Sequence, residues 1–254
     1  MNVLAVLQAR MSSSRLPGKV LKPILNKPML AYQIERIARC RLVDKLIVAT
    51  STEPADAPIA DLCHALNITC YRGSLDDVLD RFYQAASLVN PQHVLRLTGD
   101  CPLVSPTIID RLIQLHLSLG ADYTSNCYPP SLPDGLDAEV VRWDLLKAAW
   151  KEAPGGLHRE HVTSFIRDEM PNVDKASYQH PHNYASLRLT VDYPEDFDLV
   201  AKIFEALYPD KPDFELDDII RLLAAHPDWI LINQNFERNS EYLNALAQLK
   251  LTDA

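Results

Sequence analysis

V-L-A-V-L-Q-A-R-M-S-S-S-R-L-P-G-K, residues 3–19, sets a short apolar run directly against a polar, basic loop. Val3 to Leu7 reads as a strand, and Leu30, Ile34 and Ile37 beyond the loop recur at helical spacing. Strand, loop, helix is the opening unit of an α/β sheet, where ligands bind outside the carboxyl ends of the strands. The loop is therefore expected at the ligand end of the molecule.

The alternation continues outward from this unit. Leu46 to Ala49 and Ile68 to Tyr71 read as strands flanking a helix at Pro58 to Leu66. Val78, Leu79, Phe82, Ala85, Ala86 and Val89 mark one helix face, His93 to Leu97 a strand, and Ile108 to Leu119 a helix. Such repetition predicts a parallel sheet wrapped by helices. After Gly120 the texture changes: Ala121 to Thr124 and Leu136 to Val141 alternate like strands around a loop holding Pro129, Pro130 and Pro133. A smaller β-rich lobe or edge is expected there. Residues 159–170 are expected to be helical, Leu187 to Val191 a late strand, and Phe197 to Leu207 and Leu216 to Leu223 helices. The polar stretch Asn233 to Ser240 reads as a link to a last helix, Tyr242 to Leu249, forming a peripheral or partner-facing tail.

Across 254 residues, 47% hydrophobic and 23% charged is the composition of an ordinary folded chain with a sizeable core. A net charge of -9 opposes any general affinity for nucleic acid or an anionic membrane. Residues 1–34 run against that average, with Arg10, Arg15, Lys19, Lys22 and Lys27 and no acid, which predicts a local anion site. No apolar run approaches the roughly 18 residues of a membrane helix, and the N-terminus lacks a basic leader, so a cytoplasmic protein is expected. Five cysteines with no C-x-x-C pair suit reduced packing thiols.

Three segments carry chemistry. In Gln8 to Lys19, Ser12, Ser13, Ser14 and Gly18 let the backbone approach a phosphate, Arg10 and Arg15 can fork onto its oxygens, and Lys19 supplies a point charge. Neither G-x-x-x-x-G-K-[ST] nor G-x-G-x-x-G is present, which removes the two common nucleotide loops. In R-L-T-G-D-C-P, residues 96–102, Asp100 falls just past a strand, where a carboxylate can hold Mg²⁺ against phosphates or cap the helix that begins near Pro106. In L-T-V-D-Y-P-E-D, residues 189–196, Asp192 repeats that placement, with the same two readings.

Weaker signals surround these. Asp196 and Asp198 form the single D-x-D, but on a helix they diverge by about 200°, so both are expected at the surface. His158 and His161 share a helix face, with packing the favoured reading over a metal or substrate acid. Asp137 and Glu139 lie two apart and either bind sugar hydroxyls or face water. Arg72, Asp77 and Arg81 read equally as helix-start charge pairs or nucleotide contacts.

Together the three segments resemble the cytidylyltransferases that activate acidic sugars, such as CMP-KDO and CMP-sialic acid synthetases. The spore-coat polysaccharide branch is similar also at V-A-T-S (48–51), P-D-G-L-D-A-E-V (133–140) and R-E-H-V-T (159–163). The resemblance implies an α/β, Rossmann-like (GT-A type) fold, mostly parallel, spanning residues 1–231. Residues 120–185 would form a substrate or dimer lobe and 232–254 a linker and helix. It implies Mg²⁺ as cofactor, held by Asp100 and Asp192, and a homodimer. Arg10, Arg15 and Lys19 match the triphosphate loop, and Gln8, Thr50, Ser51, Arg72 and Arg96 join the expected nucleotide contacts. Asp137, Glu139 and His161 are the expected sugar contacts. Residues 120–185 depart from the KDO and sialic acid pockets.

The implied reaction is attack of a sugar hydroxyl on the α-phosphate of CTP with release of pyrophosphate, in surface polysaccharide or glycoconjugate synthesis. No side chain stands out in the sequence as general base. Two rivals share the sheet: a GT-A glycosyltransferase using a nucleotide-sugar donor, and a non-catalytic nucleotide-binding protein. The helical position of the D-x-D weighs against the first.

Overall fold

Val3–Gln8, β1, has five consecutive residues without appreciable exposure, which requires cover on both faces of the strand. Alternate side chains supply it: Val3, Ala5 and Leu7 join one apolar cluster and Leu4 and Val6 another. The computed structural model describes residues 2–238 together with residues 242, 243, 246 and 247.

In chain order, β1 leads through the basic loop to a ribbon, β2 (Pro23–Ile24) and β3 (Lys27–Pro28), then α1 (Met29–Ile37) and β4 (Lys45–Ser51). Next come α2 (Ala57–Ala65), β5 (Thr69–Gly73), α3 (Val78–Ser87), β6 (His93–Thr98) and α4 (Pro106–Leu119). The chain then forms β7 (Tyr123–Ser125), β8 (Glu139–Arg142), α5 (Trp143–Glu152), α6 (Leu157–Glu160), α7 (Ser164–Asp168) and β9 (Lys175–Ser177), and closes with α8 (Pro194–Leu207) and α9 (Leu216–Ala225). The seven-stranded sheet has the order β5-β4-β1-β6-β8-β7-β9, with β5, β4, β1 and β6 parallel and β8 antiparallel to both of its neighbours. This is the expected Rossmann-like α/β architecture. The β-rich stretch after Gly120 is the sheet's antiparallel edge, and the ribbon of β2 and β3 forms a small second sheet.

The topology locates the site. From β1 the chain goes outward on one side to β4 and later returns on the other to β6, so the order switches beside β1 and a crevice opens at the strands' carboxyl ends. Gln8 is level with Thr98, and the Gly99 amide donates to the Gln8 carbonyl at 2.7 Å. The loops after β1 and β6 therefore emerge side by side.

Four expectations need correction. Leu187–Val191 is no strand; it meets the loop before β8 in a single bridge between Arg188 and Asp134. Its partner loop is too short and too bent for a ladder, because Gly135 turns there at φ +102°. Residues 159–170 are not one helix: Val162, at φ +45°, separates α6 from α7. Asp196 is fully buried rather than at the surface, while Asp198 is exposed as expected. The stretch from Asn233 to Arg238 is not peripheral either, since Asn233 is buried and its amide donates to the Arg188 carbonyl and Asp196. The final helix expected at Tyr242 to Leu249 lies largely outside the described residues. Among those residues no helix is long and apolar enough to cross a membrane.

A third apolar cluster packs Leu189, Val191 and Phe197 against Leu16, Met29 and Tyr32, which clamps the segment before α8 onto the basic loop. Gly135 sets the segment's height: a Cβ there would lie 2.3 Å from the Thr190 nitrogen and 2.4 Å from the Leu189 carbonyl carbon. Gly135→Ala should therefore cost about 2–4 kcal/mol through strain and displacement. Urea unfolding checks this, and a loss below about 0.5 kcal/mol would show that the approach is not enforced.

Candidate active site

The basic loop is wound on itself. The Ser13 and Gly18 amides both donate to the Met11 carbonyl at 2.9 Å, and Ser13 Oγ accepts from the Leu16 amide. Gly18 completes the turn at φ +71°, a conformation open to glycine at little cost. Asp56 anchors the loop from outside by accepting from the Met11 amide at 2.7 Å. The result points Arg10, Ser13, Ser14, Arg15 and Lys19 into the crevice and leaves Ser12 exposed outside it.

Lys19 is the meeting point of the site. Its ammonium donates to the Val191 carbonyl at 2.7 Å and to Asp192 at 2.9 Å, and lies 3.5 Å from Asp100. Burial alone would push its pKa down, but Asp100 and Asp192 outweigh that and raise it. For Asp192, burial favours the neutral form, and Lys19, Arg15 and Arg188 override it to hold the pKa low. Neither aspartate is spent as a helix cap: Ser105 caps α4 and Tyr193 occupies the cap position of α8. The Val191 amide donates to the Asp100 carbonyl at 2.8 Å, so backbone pairing sets the two carboxylates side by side.

Behind them stands a residue the sequence reading missed. Arg188 is buried and pairs with Asp134, Asp192 and Asp196 at 2.9, 3.1 and 2.9 Å. Asp196 in turn accepts from the Asp192 and Tyr193 amides, so it shapes the start of α8 and holds Asp192 in place. An arginine inside an apolar run was the available signal.

The crevice encloses about 270 Å³. Gln8 and Arg81 line it, and Gln8 Oε1 and Arg81 Nε are buried polar atoms without a partner among the described residues. Arg81 is 1% exposed, donates to the Ser74 and Leu75 carbonyls, and has no carboxylate at ion-pair distance among the described residues. Arg10 lines it too, in a half-exposed pair with Glu160. Arg96, also in the lining, pairs with Glu139, which accepts in addition from Tyr123 and from Thr163 Oγ1 at 2.8 Å. Asp137 pairs with Arg238, and His161 stacks edge-on against Tyr242. Burial, then Arg96 and Arg167, push the His161 pKa down to about 4, so its imidazole is neutral at pH 7.

Besides Ser12, three expected nucleotide contacts sit outside the crevice. Thr50 and Ser51 are fully buried at the end of β4, where Ser51 bonds Asp56. Arg72 donates to the Ser51 and Glu53 carbonyls at 2.9 Å, tying β5 to the loop after β4. Among the described residues no three His, Cys, Asp or Glu side chains gather as a metal cage. The hard oxygens of Asp100 and Asp192 nevertheless suit magnesium, which takes one or two carboxylates and completes its shell with water and phosphate.

Sequence comparison now decides the family, because the cytidylyltransferase profile matches residues 4–245. The chain belongs to the cytidylyltransferase family. It is 33% identical over 234 residues to the spore coat polysaccharide biosynthesis protein SpsF of Bacillus subtilis, covering 89% of this chain and 96% of that one. It is similar to the 3-deoxy-manno-octulosonate cytidylyltransferase of Pelobacter propionicus over 114 residues, 45% and 44% of the two chains, at 35% identity. A cytidylyltransferase structure from Leptospira borgpetersenii superposes with a TM-score of 0.87 at 27% identity, covering 94% of this chain and all of that one.

Asp134 gives this cytidylyltransferase a pH signature. Burial, then neighbouring Asp137, push its pKa up to about 7 against the pull of Arg238 and Arg188. The unfolded chain releases that proton near pH 3.8, so folding takes up a proton between about 4 and 7 and this group costs stability as pH rises through that window. Asp134→Asn, which cannot ionise, should gain on the wild type in urea titrations between about pH 4.5 and about pH 8. A difference that stays constant with pH would sink this account.

Proposed function

We propose that this cytidylyltransferase joins CMP from CTP to a hydroxyl of an acidic sugar and releases pyrophosphate. The observation that carries the reading is the convergence of Arg10, Arg15 and Lys19 with Asp100 and Asp192 in one crevice at the strand switch point. On the family resemblance the enzyme works in the cytoplasm as a homodimer, in surface polysaccharide or glycoconjugate synthesis.

A triphosphate brings about four negative charges, and the loop after β1 is the segment with cations and no acids to meet them. Arg10 and Arg15 fork onto phosphate oxygens, and Lys19 offsets charge that develops as pyrophosphate leaves. The unpartnered Gln8 Oε1 and Arg81 Nε supply one acceptor and one donor, complementary to an amino-carbonyl edge such as that of cytosine. Asp137, Glu139 and the neutral His161 offer hydrogen bonds to acceptor hydroxyls. Asp100 and Asp192 would hold Mg²⁺, which supplies neutralisation of nucleotide oxygens when bound. Catalysis then consists mainly of positioning and charge stabilisation.

The test is direct: incubate the protein with CTP, Mg²⁺ and a panel of sugar acids and follow pyrophosphate. A glycosyltransferase releases none, and a binding protein holds CTP without turnover. Asp100→Ala and Lys19→Ala should each lower turnover by roughly 10²-fold or more with the fold retained by circular dichroism. Near-normal turnover in either variant would remove that residue from the reaction.

A further inference from the structure

The described part of the C-terminal segment lies across the phosphate loop's supports. Asn233 roots it on the Arg188 carbonyl and Asp196, at 3.1 and 2.8 Å. Arg238 fastens its other end to the Leu132 carbonyl and Asp137. Between these anchors the Phe236 ring stacks on Tyr193 with centroids 4.0 Å apart and planes 5° from parallel. The Arg15 guanidinium lies over that same tyrosine ring, 4.9 Å from its centroid, while pairing with Asp192 at 2.9 Å.

We propose that Phe236 is a positioning residue for the phosphate loop, acting through Tyr193 on Arg15. The inference rests on the reading above that this loop takes a triphosphate. When phosphate oxygens arrive, Arg15 can exchange Asp192 for them while it keeps its place over the Tyr193 ring. A guanidinium resting on a fixed aromatic plane keeps its fork aimed and loses less rotamer freedom on binding. Tyr193 leaves the chain at the start of α8 and its plane is set by the Phe236 stack, so the stack carries the chain's C-terminal segment into the nucleotide end of the site.

Isothermal titration of wild type, Phe236→Ala and Phe236→Tyr with CTP, ATP, CMP and inorganic tripolyphosphate tests this. Phe236→Ala should weaken CTP and tripolyphosphate by roughly 3- to 10-fold, leave CMP unchanged, and be rescued by Phe236→Tyr. In an Arg15→Ala background the same change should add nothing. Equal losses for CMP and CTP, no loss at all, or a full additional loss without Arg15 would each overturn the inference. Failure of the functional reading looks different: tripolyphosphate would still bind in a Phe236-dependent way while CTP showed no advantage over ATP.

Discussion

One buried guanidinium holds the site together. Arg188 stands among Asp134, Asp192 and Asp196, which come from the loop before β8, the segment before α8 and the first turn of α8. Breaking such a pair typically costs about 3–5 kcal/mol because the remaining charge is stranded. A charge cluster of this kind gains little over an apolar core of the same volume, and what it adds here is a second hold on the segment before α8. Backbone bonds at Asp134 and from the Val191 amide to the Asp100 carbonyl set which residue stands beside Asp100. Arg188 fixes the Asp192 side chain on top of that frame.

The electrostatics in front of Arg188 follow a gradient. Arg10 pairs with Glu160 at 3.3 Å with both side chains about 40% exposed, an interaction of at most about 1 kcal/mol in water. Arg15 and Lys19 pair with Asp192 at 2.9 Å in a more enclosed setting, and Arg188 is enclosed altogether. On the proposed reading, an incoming polyphosphate makes charge-assisted, bidentate bonds and competes first with the outermost, most exposed pair. The outer cations can therefore change partners while the inner frame keeps its shape. On that reading a chain with a net charge of -9 can host an anion, because its acids hold these cations in place before the ligand arrives.

The same gradient explains what the sequence disclosed. The strands β1 and β4 were legible as apolar runs because burial covers both of their faces, and β6 reads alike apart from Arg96 within it. The basic loop and Asp100 were legible because each follows such a strand, whereas Asp192 follows an apolar run that is no strand and is brought to Asp100 by the Val191 backbone bond. Thr50, Ser51 and Arg72 occupy equivalent strand ends, yet Ser51 serves Asp56, Arg72 serves backbone carbonyls, and the buried Thr50 hydroxyl has no partner among the described residues. A polar residue at a strand end reads alike whether it faces a ligand or props up a neighbouring loop. Asp196 escaped for a different reason. Helical side-chain directions make the D-x-D divergent, but the first turn of a helix also has unpaired amides, and Asp196 serves those and Arg188 at once.

The C-terminal segment shows how far this ambiguity extends. Its polar composition reads as a solvated link, since nothing in Asn233 to Ser240 marks a core-facing stripe. A surface built of buried ion pairs and open carbonyls, however, is covered best by side chains that hydrogen-bond to it. Asn233 does so at Arg188 and Asp196, and Arg238 does so at Leu132 and Asp137. Apolar residues there would strand those groups without partners, at about 1–3 kcal/mol each. Where a segment's destination is a charge network, polarity is the signature of docking, and Phe236, the lone aromatic of that stretch, marks the place where the network gives way to stacking.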